Sequence, residues 1–133
     1  ASPAERAREA ERLLRAALAA RLNRTNATPW KTGDWKGRLG TALVSVAVTD
    51  PKLNAAARES KFTEAEALLL EGYEAVRQRP SERGYNRDIL ERLIRLYTAW
   101  NKPDSAAEWR MKLEHFEKTE ADGKSTAAQE ARP

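Results

Sequence analysis

Few residues of this chain have the types and spacing that catalysis or metal binding requires. The single histidine, His115, follows Glu114, and the neighbouring sequence offers no further ligand or base to complete a site. The favoured interpretation is a solvated histidine near the end of a helix, where the helix dipole stabilises its charge. The chain contains no cysteine, no glycine-rich phosphate loop and no nucleophile or zinc-protease motif. We therefore expect a protein that is not an enzyme and uses no metal or cofactor.

The charge pattern indicates which kind of partner the chain can bind. A net charge of +4 raises the question of nucleic acid binding. Basic and acidic residues are interleaved, however, as in Glu9 to Arg12 and Glu108 to Arg110, which is typical of ion pairs between successive helical turns. A phosphate-binding face would need its arginines on one side. We therefore expect a protein or peptide partner and no nucleic acid.

The elements that position the charged residues are repeated. The pattern Glu-Ala-Glu-x-Leu-Leu begins at Glu9 and again at Glu64, and a weaker copy surrounds Ala106. Segments of a second type lie between these copies, where Arg38-Leu39 corresponds to Arg92-Leu93. Apolar residues recur at helical spacing in both types. The sequence therefore predicts an all-α fold in which two kinds of helix alternate.

Helix boundaries follow from capping residues and from breaks in the pattern. The predicted helices cover residues 4–22, 34–48, 51–78, 86–100 and 103–118. Asn101 should adopt the left-handed conformation in the last turn, and Pro103 should open the last helix. Thr49-Asp50-Pro51 looks like an N-cap followed by a first-turn proline, so we expect a helical insert at about 45–60.

The chain divides into a helical domain and a tail. The domain is expected to span residues 1–118. Residues 119–133 are polar and small, without periodicity, and this composition predicts a disordered C-terminal tail.

The alternation of helices resembles the tetratricopeptide repeat, which has Leu-Gly on its first helix and alanine on its second. The residues that carry the resemblance are Leu39, Gly40, Leu43, Ala65 and Leu69 in one repeat, and Leu90, Leu93, Tyr97, Ala106 and Leu113 in the next. It implies antiparallel helix pairs stacked as a short α-solenoid of about two and a half repeats. It also implies a close helix crossing at Gly40 and Ala65. The repeats look most like those C-terminal to bacterial serine/threonine protein kinases.

The same resemblance implies a concave binding face formed by the first helix of each repeat. The candidate partner-binding residues on it are Arg38, Thr41, Ser45, Arg92, Arg95 and Thr98. Arginine can bind a carboxylate through two parallel hydrogen bonds, so an acidic peptide or a chain terminus would suit this face. The alternative is that these arginines only solvate an exposed surface. Trp30 and Trp35 are further candidate contacts on a loop, although packing is the favoured role for the tryptophans.

The first helix is expected to lack a neighbour. Its stripe of Ala7, Ala10, Leu14, Ala17 and Leu18 has no preceding helix to cover it, and repeat units cannot bury such a face alone. This predicts docking or dimerisation through helix 4–22, or a longer protein that supplies the missing half repeat.

Three functional hypotheses remain open. The leading one is a non-catalytic protein–protein interaction module of a larger bacterial protein, which binds a peptide or subunit surface on the concave face. The alternatives are a structural subunit permanently docked in a larger assembly and a regulatory extension of a bacterial serine/threonine kinase. No segment approaches the roughly 20 apolar residues of a membrane span. The sequence does not choose between bacterial cytoplasm and periplasm.

Overall fold

Five α-helices make up the part of the chain that the computed structural model describes, which is residues 1–24 and 26–130, with side chains as far as Gly123. The helices are α1 (Pro3–Leu22), α2 (Pro29–Thr49), α3 (Ala55–Val76), α4 (Arg83–Ala99) and α5 (Pro103–Glu130). Each helix packs against the next, and α2 also packs against α4. No strand occurs in these ranges, so the prediction of an all-α fold is confirmed.

Consecutive helices run antiparallel. Gly33 near the start of α2 lies against Gly72 near the end of α3, whereas Gly40 lies against Leu69. By contrast, α2 and α4 run in the same direction, because Gly37 contacts Ile89 and residues one turn later on both helices also meet. The pairing places α2 and α4 side by side, with α3 packed across both of them.

The core lies where α2, α3 and α4 meet. Leu43, Leu69, Leu93 and Leu96 are fully buried there. Leu18 of α1 extends this core at one end, and Trp109 of α5 extends it at the other. Burying a leucine side chain contributes roughly 1.5–3 kcal/mol, so this three-helix centre supplies much of the stability.

The close helix crossing expected at Gly40 is present. A methyl group on Gly40 would lie 2.8 Å from Leu69 Cγ and 3.2 Å from the Ala65 carbonyl oxygen. A second close approach, between Gly33 and Gly72, was not predicted. A methyl group on Gly72 would lie 2.7 Å from the Gly33 carbonyl oxygen. Small residues therefore bring the backbones of α2 and α3 together at two levels.

The segment predicted as a helical insert differs from the expectation. The turn at Pro51 to Leu53 separates α2 from α3, so residues 45–60 are the end of one helix and the start of the next. The Thr49 hydroxyl donates to the Ser45 carbonyl at 2.7 Å and thus belongs to α2. Asn54 caps α3 instead, accepting from the Ala57 N–H at 2.8 Å. The new helix therefore begins at Ala55 and not at Pro51, and Asp50 Oδ1 accepts from the Lys52 N–H at 3.0 Å within the turn.

The other connections and ends are partly as expected. Asn101 has φ 58°, and the Lys102 N–H donates to the Tyr97 carbonyl at 2.8 Å, which closes α4 with a left-handed cap as predicted. Pro103 begins α5. The expected tail boundary at Thr119 does not coincide with a helix end, because α5 continues to Glu130. Residues 131–133 lie outside the described part of the chain.

Candidate functional site

The sequence-predicted site centres on one contact between α2 and α4. Arg92 of α4 donates from Nη1 to Thr41 Oγ1 at 2.8 Å. The Thr41 hydroxyl in turn donates to the Gly37 carbonyl at 3.0 Å, one turn back on α2. Arg92 is only partly exposed, so its guanidinium lies across the boundary between the two helices. We call the surface formed by Arg38, Thr41, Arg92 and Arg95 the arginine surface.

Arg38 is held on α2 beside this contact. Its Nε donates to Asp34 Oδ2 at 2.9 Å, and Asp34 is a buried carboxylate one turn earlier. The Arg38 guanidinium also lies 5.2 Å from the centre of the Trp35 ring. Cation–π contacts at exposed sites are worth about 0.5–1 kcal/mol. The Arg38 side chain is nevertheless about half exposed, so part of its guanidinium faces solvent.

The pKa of Arg92 reflects its burial and the charged groups around the arginine surface. Burial lowers the pKa of Arg92, the carboxylates of Asp34 and Asp88 raise it, and the cations Arg38 and Arg95 lower it. The Arg92 guanidinium therefore lies close enough to Arg38 and Arg95 to be repelled by each of them. Arginine stays charged throughout the physiological range. A bound anion would relieve this repulsion.

Two of the predicted site residues stand apart from this group. Thr98 lies on the side of α4 that faces α5, where its hydroxyl accepts from Arg110 Nη2 at 3.3 Å. Ser45 follows Thr41 by one turn on α2, and its carbonyl accepts the Thr49 hydroxyl. The structure thus brings together Arg38, Thr41 and Arg92, with Arg95 beside them.

The tryptophans proposed as loop contacts lie on a helix. Trp30 and Trp35 belong to α2, which begins at Pro29 rather than at residue 34, because proline suits the first helical turn. Trp30 packs edge-on against Tyr85 with ring centres 4.9 Å apart. Trp100 is stacked on Phe62 at 5.5 Å. The placement of Trp30 in a long loop was wrong, and these rings have packing partners within the fold.

His115 does not lie near a helix end. The extension of α5 to Glu130 puts it in the middle of that helix, so the expected stabilisation by the helix dipole does not apply. His115 instead lines a groove of about 630 Å³ bounded by α3, α4 and α5. Sequence analysis missed this groove. The sequence offered one sign of this groove. Met111 is a large apolar residue that lies off the buried stripe of α5, and its side chain is 69% exposed.

The first helix is more fully covered than expected. Ala7 and Leu18 are buried against α2, although Leu13 on the other side of α1 is 53% exposed. Ion pairs fasten α1 to α3 as well. Arg15 donates to both carboxylate oxygens of Glu64 at 2.7 Å, and Lys61 Nζ lies 3.0 Å from Glu11 Oε1. The exposed side of α1 includes Leu13 and the small residues Ala16 and Ala20.

Comparisons with known proteins give no assignment. The chain matches no protein-family model, and neither curated proteins nor solved structures give a significant match. Among the described residues, no group of three or more histidine, cysteine, aspartate or glutamate side chains is arranged to hold a metal ion. None of the described helices combines the length and apolar character needed to cross a membrane. Functional inference therefore rests on the contacts of this chain alone.

Proposed function

We propose that this chain is a non-catalytic protein-interaction module of the tetratricopeptide type, which binds an acidic peptide or a C-terminal carboxylate on the arginine surface. The observation that carries the proposal is the contact between Arg92 and Thr41. It joins two parallel helices and leaves Arg38 and Arg95 exposed on either side of a partly desolvated guanidinium.

The order of helix contacts supports a stacked-repeat arrangement. In such arrays each helix pair packs on the next, and the first helices of successive pairs contact one another. Here α2 packs with its own partner α3 and also with α4, the first helix of the following pair. α1 would then be the second helix of an incomplete preceding pair. These relations favour α2 and α4 as the inner, ligand-facing helices.

The chemistry of the surface favours a carboxylate ligand. Arg92 makes a hydrogen bond to the neutral hydroxyl of Thr41, so its planar fork keeps donors that a carboxylate can accept from. Arg38 is bonded to Asp34, but its side chain is about half exposed and can also turn towards a ligand. Charge-assisted bonds of this type gain strength where the donor is partly desolvated. Asp34 and Asp88 limit the net charge and would select against large polyanions.

The test uses a random peptide pool made in two forms, one with free C-terminal carboxylates and one with amidated ends. The immobilised chain should retain acidic peptides of the free form. Arg38→Glu and Arg95→Glu, both exposed positions, should each weaken binding about tenfold or more, since a lost charge-assisted contact is worth at least 1.4 kcal/mol. Arg6→Glu is the matched control, because it makes the same charge change on an exposed part of α1. Equal retention by the variants, or equal loss with Arg6→Glu, would reject the assignment.

A structural subunit remains the second candidate, and one observation favours it. Leu13 lies 53% exposed on α1 beside Ala10 and Ala17, which are only partly covered. A permanently docked partner would bury this face. Light scattering on the isolated chain separates the two functions, because the reversible module should remain monomeric whereas a docking subunit should self-associate or aggregate.

A further inference from the structure

The surface of α2 continues beyond the arginine surface towards α1. Thr32 accepts from Arg21 Nε of α1 at 3.2 Å, and Thr41 accepts from Arg92 of α4. Residues three positions apart are neighbours on a helix surface. Those that connect the two contacts therefore form one oblique row, which consists of Thr32, Trp35, Arg38 and Thr41. None of the four is buried, so the row crosses α2 from the side of α1 to the side of α4.

A depression lies beside Trp35, between α1 and α2. It measures about 220 Å³, and the indole lines it together with Ala17, Ala20, Arg21 and Arg24. The two alanines leave this space, because a larger side chain on the same face of α1 would fill it. Sites that enclose a whole small molecule measure about 300–1,000 Å³. The smaller volume here suits one side chain of a larger ligand. We call this site the Trp35 depression.

The Trp35 depression carries positive charge without a nearby carboxylate. Arg21 donates to the neutral Thr32 hydroxyl, and Arg24 makes no ion pair with any other residue that the structure describes. The nearest acidic residue on α1 is Glu11, ten positions before Arg21, which is about 15 Å along the helix axis. The one acidic residue within α2 is Asp34, and its carboxylate already accepts from the arginine of the row. An acidic group of a ligand would therefore find two available cations.

The excess of positive charge remains when the carboxylates of α4 are included. Asp88 and Glu91 each lie one turn before an arginine of the arginine surface, and Glu91 also lines a depression towards α5. With Asp34 they make three carboxylates, whereas the row and the two sites beside it hold five arginines. These are Arg21, Arg24, Arg38, Arg92 and Arg95. A nucleic acid carries a charge at every phosphate and would meet the carboxylates as well, but a peptide can place acidic groups at the arginines alone.

We propose that the acidic peptide bound at the arginine surface continues across α2, with a second acidic group between Arg21 and Arg24. An apolar or aromatic side chain between the two acidic groups packs on the Trp35 ring. The extension rests on the proposed function, because both acidic groups belong to one ligand. Thr41 and Trp35 are six positions apart on α2, which is about 9 Å along its axis. An extended chain spans about 3.3–3.6 Å per residue, so about three or more positions separate the acidic groups.

The test selects from the random peptide pool with free C-terminal carboxylates and measures the recovered peptides one by one against variants of the chain. Ala20→Glu places a carboxylate in the Trp35 depression. Ala19→Glu is its matched control, because Ala19 is also exposed on α1 but does not line the depression. Glutamate favours helix nearly as well as alanine, so neither change should unfold the chain. Arg24→Glu reverses one of the two charges, and Arg6→Glu again serves as its control.

The recovered peptides should carry two acidic groups about three or more positions apart, with an apolar residue between them. Their affinity should fall about tenfold or more in Ala20→Glu and in Arg24→Glu. It should stay level in Ala19→Glu and in Arg6→Glu. In nuclear magnetic resonance spectra the indole N–H signal of Trp35, assigned with Trp35→Phe, should shift when such a peptide is added.

The outcomes separate this extension from the function on which it rests. Equal affinity for the natural chain and Ala20→Glu, together with loss of binding in Arg38→Glu, would overturn the extension and leave the proposed function standing. Binding that survives Arg38→Glu would reject both. A recovered set without a second acidic group would also overturn the extension. So would a single-stranded oligonucleotide that competes with the peptides and loses affinity in Ala20→Glu, since the ligand would then be a nucleic acid.

Discussion

The contact between α2 and α3 and the contact between α4 and α5 use different means to join two antiparallel helices. At α2–α3 the backbones themselves meet, with Gly72 against Gly33 and no space for one added methyl group. α4 and α5 meet through apolar side chains near their turn, where Ala106 and Trp109 are buried, and through ion pairs at the far end, where Arg87 reaches Glu117 at 2.9 Å and Glu120 at 3.0 Å. The first contact is tight at two levels, and the second leaves room for the groove bounded by α3, α4 and α5.

This difference suggests that the α2–α3 contact mainly stabilises the fold, whereas the α4–α5 side can adapt to a ligand. Close-packed interiors respond to the loss or gain of a single carbon atom, so α2 and α3 form a rigid base. A contact made by exposed ion pairs tolerates rearrangement. Residues of α4 contribute to the arginine surface on the side towards α2 and to the groove on the side towards α3 and α5. α4 therefore contributes residues both to the buried core and to these two surfaces.

The largest expected effect is the loss of core packing at the tight contact. Leu69→Ala removes a fully buried side chain between α2 and α3 and should lower the free energy of unfolding by about 2–5 kcal/mol. Leu113→Ala removes the same atoms from α5, where the side chain is partly exposed, and should cost roughly 1 kcal/mol. Urea unfolding followed by circular dichroism measures both. Equal losses would mean that the two contacts are equally tight.

The second effect is steric and acts on the backbone. Gly72→Ala puts a carbon 2.7 Å from the Gly33 carbonyl oxygen, which is backbone and cannot swing away. Alanine favours helix by about 1 kcal/mol over glycine, yet the forced separation of α2 and α3 should outweigh this gain, for a net loss of about 1–3 kcal/mol. The thermal midpoint of unfolding is the measurement.

The matched control for that substitution is Gly84→Ala at the start of α4. Apart from its chain neighbours and the backbone of its own helix, no atom of a described residue lies within 4 Å of an added methyl group there. Only the gain in helix propensity remains, so the melting temperature should stay level or rise. A rise at both positions would contradict the tight crossing and place α3 further from α2.

The sequence predicted the repeated helices but not how closely each pair packs. The resemblance to the tetratricopeptide repeat implied a crossing at Gly40 and Ala65, and Gly40 does lie against Ala65 and Leu69. Gly33 and Gly72 were missed since they belong to no repeat pattern, and only the three-dimensional pairing brings them together. Asn101 was predictable from its own chemistry, as asparagine tolerates a positive φ.

Site prediction had the same limits. The resemblance to the tetratricopeptide repeat placed the arginines of α2 and α4 on one face, and in the structure Arg92 reaches Thr41. The groove bounded by α3, α4 and α5 could not be predicted, because it depends on how these helices pack in three dimensions. The length of α5 was underestimated for a related reason. Residues from Thr119 onwards have no apolar stripe, but the two glutamates that Arg87 binds on α5, Glu117 and Glu120, lie on either side of that boundary.

The smallest effect concerns α1, which is joined to α3 partly by charge. The hydrogen bond from Arg15 lowers the pKa of Glu64 below its ordinary value of 4.5. A carboxylate with a lowered pKa in the folded state stabilises the protein above the unfolded-state pKa, and this contribution is lost as pH falls through the folded-state pKa. Because the Glu64 side chain is 41% exposed, solvent screening limits the pair to about 0.2–1 kcal/mol. Glu64→Gln should therefore destabilise the chain slightly near neutral pH and make no difference in strong acid.

The measurement is urea unfolding of the natural chain and Glu64→Gln at about pH 7 and about pH 3, where the difference should shrink. Glu114→Gln, an exposed glutamate of α5, is the control for removing one negative charge. A difference that stays constant with pH would show that Glu64 acts through packing and not through its charge. Since Leu18 and Ala7 are buried against α2 in either case, α1 should stay attached to the fold at both pH values. Charge then orients α1, whereas apolar contact with α2 holds it in place.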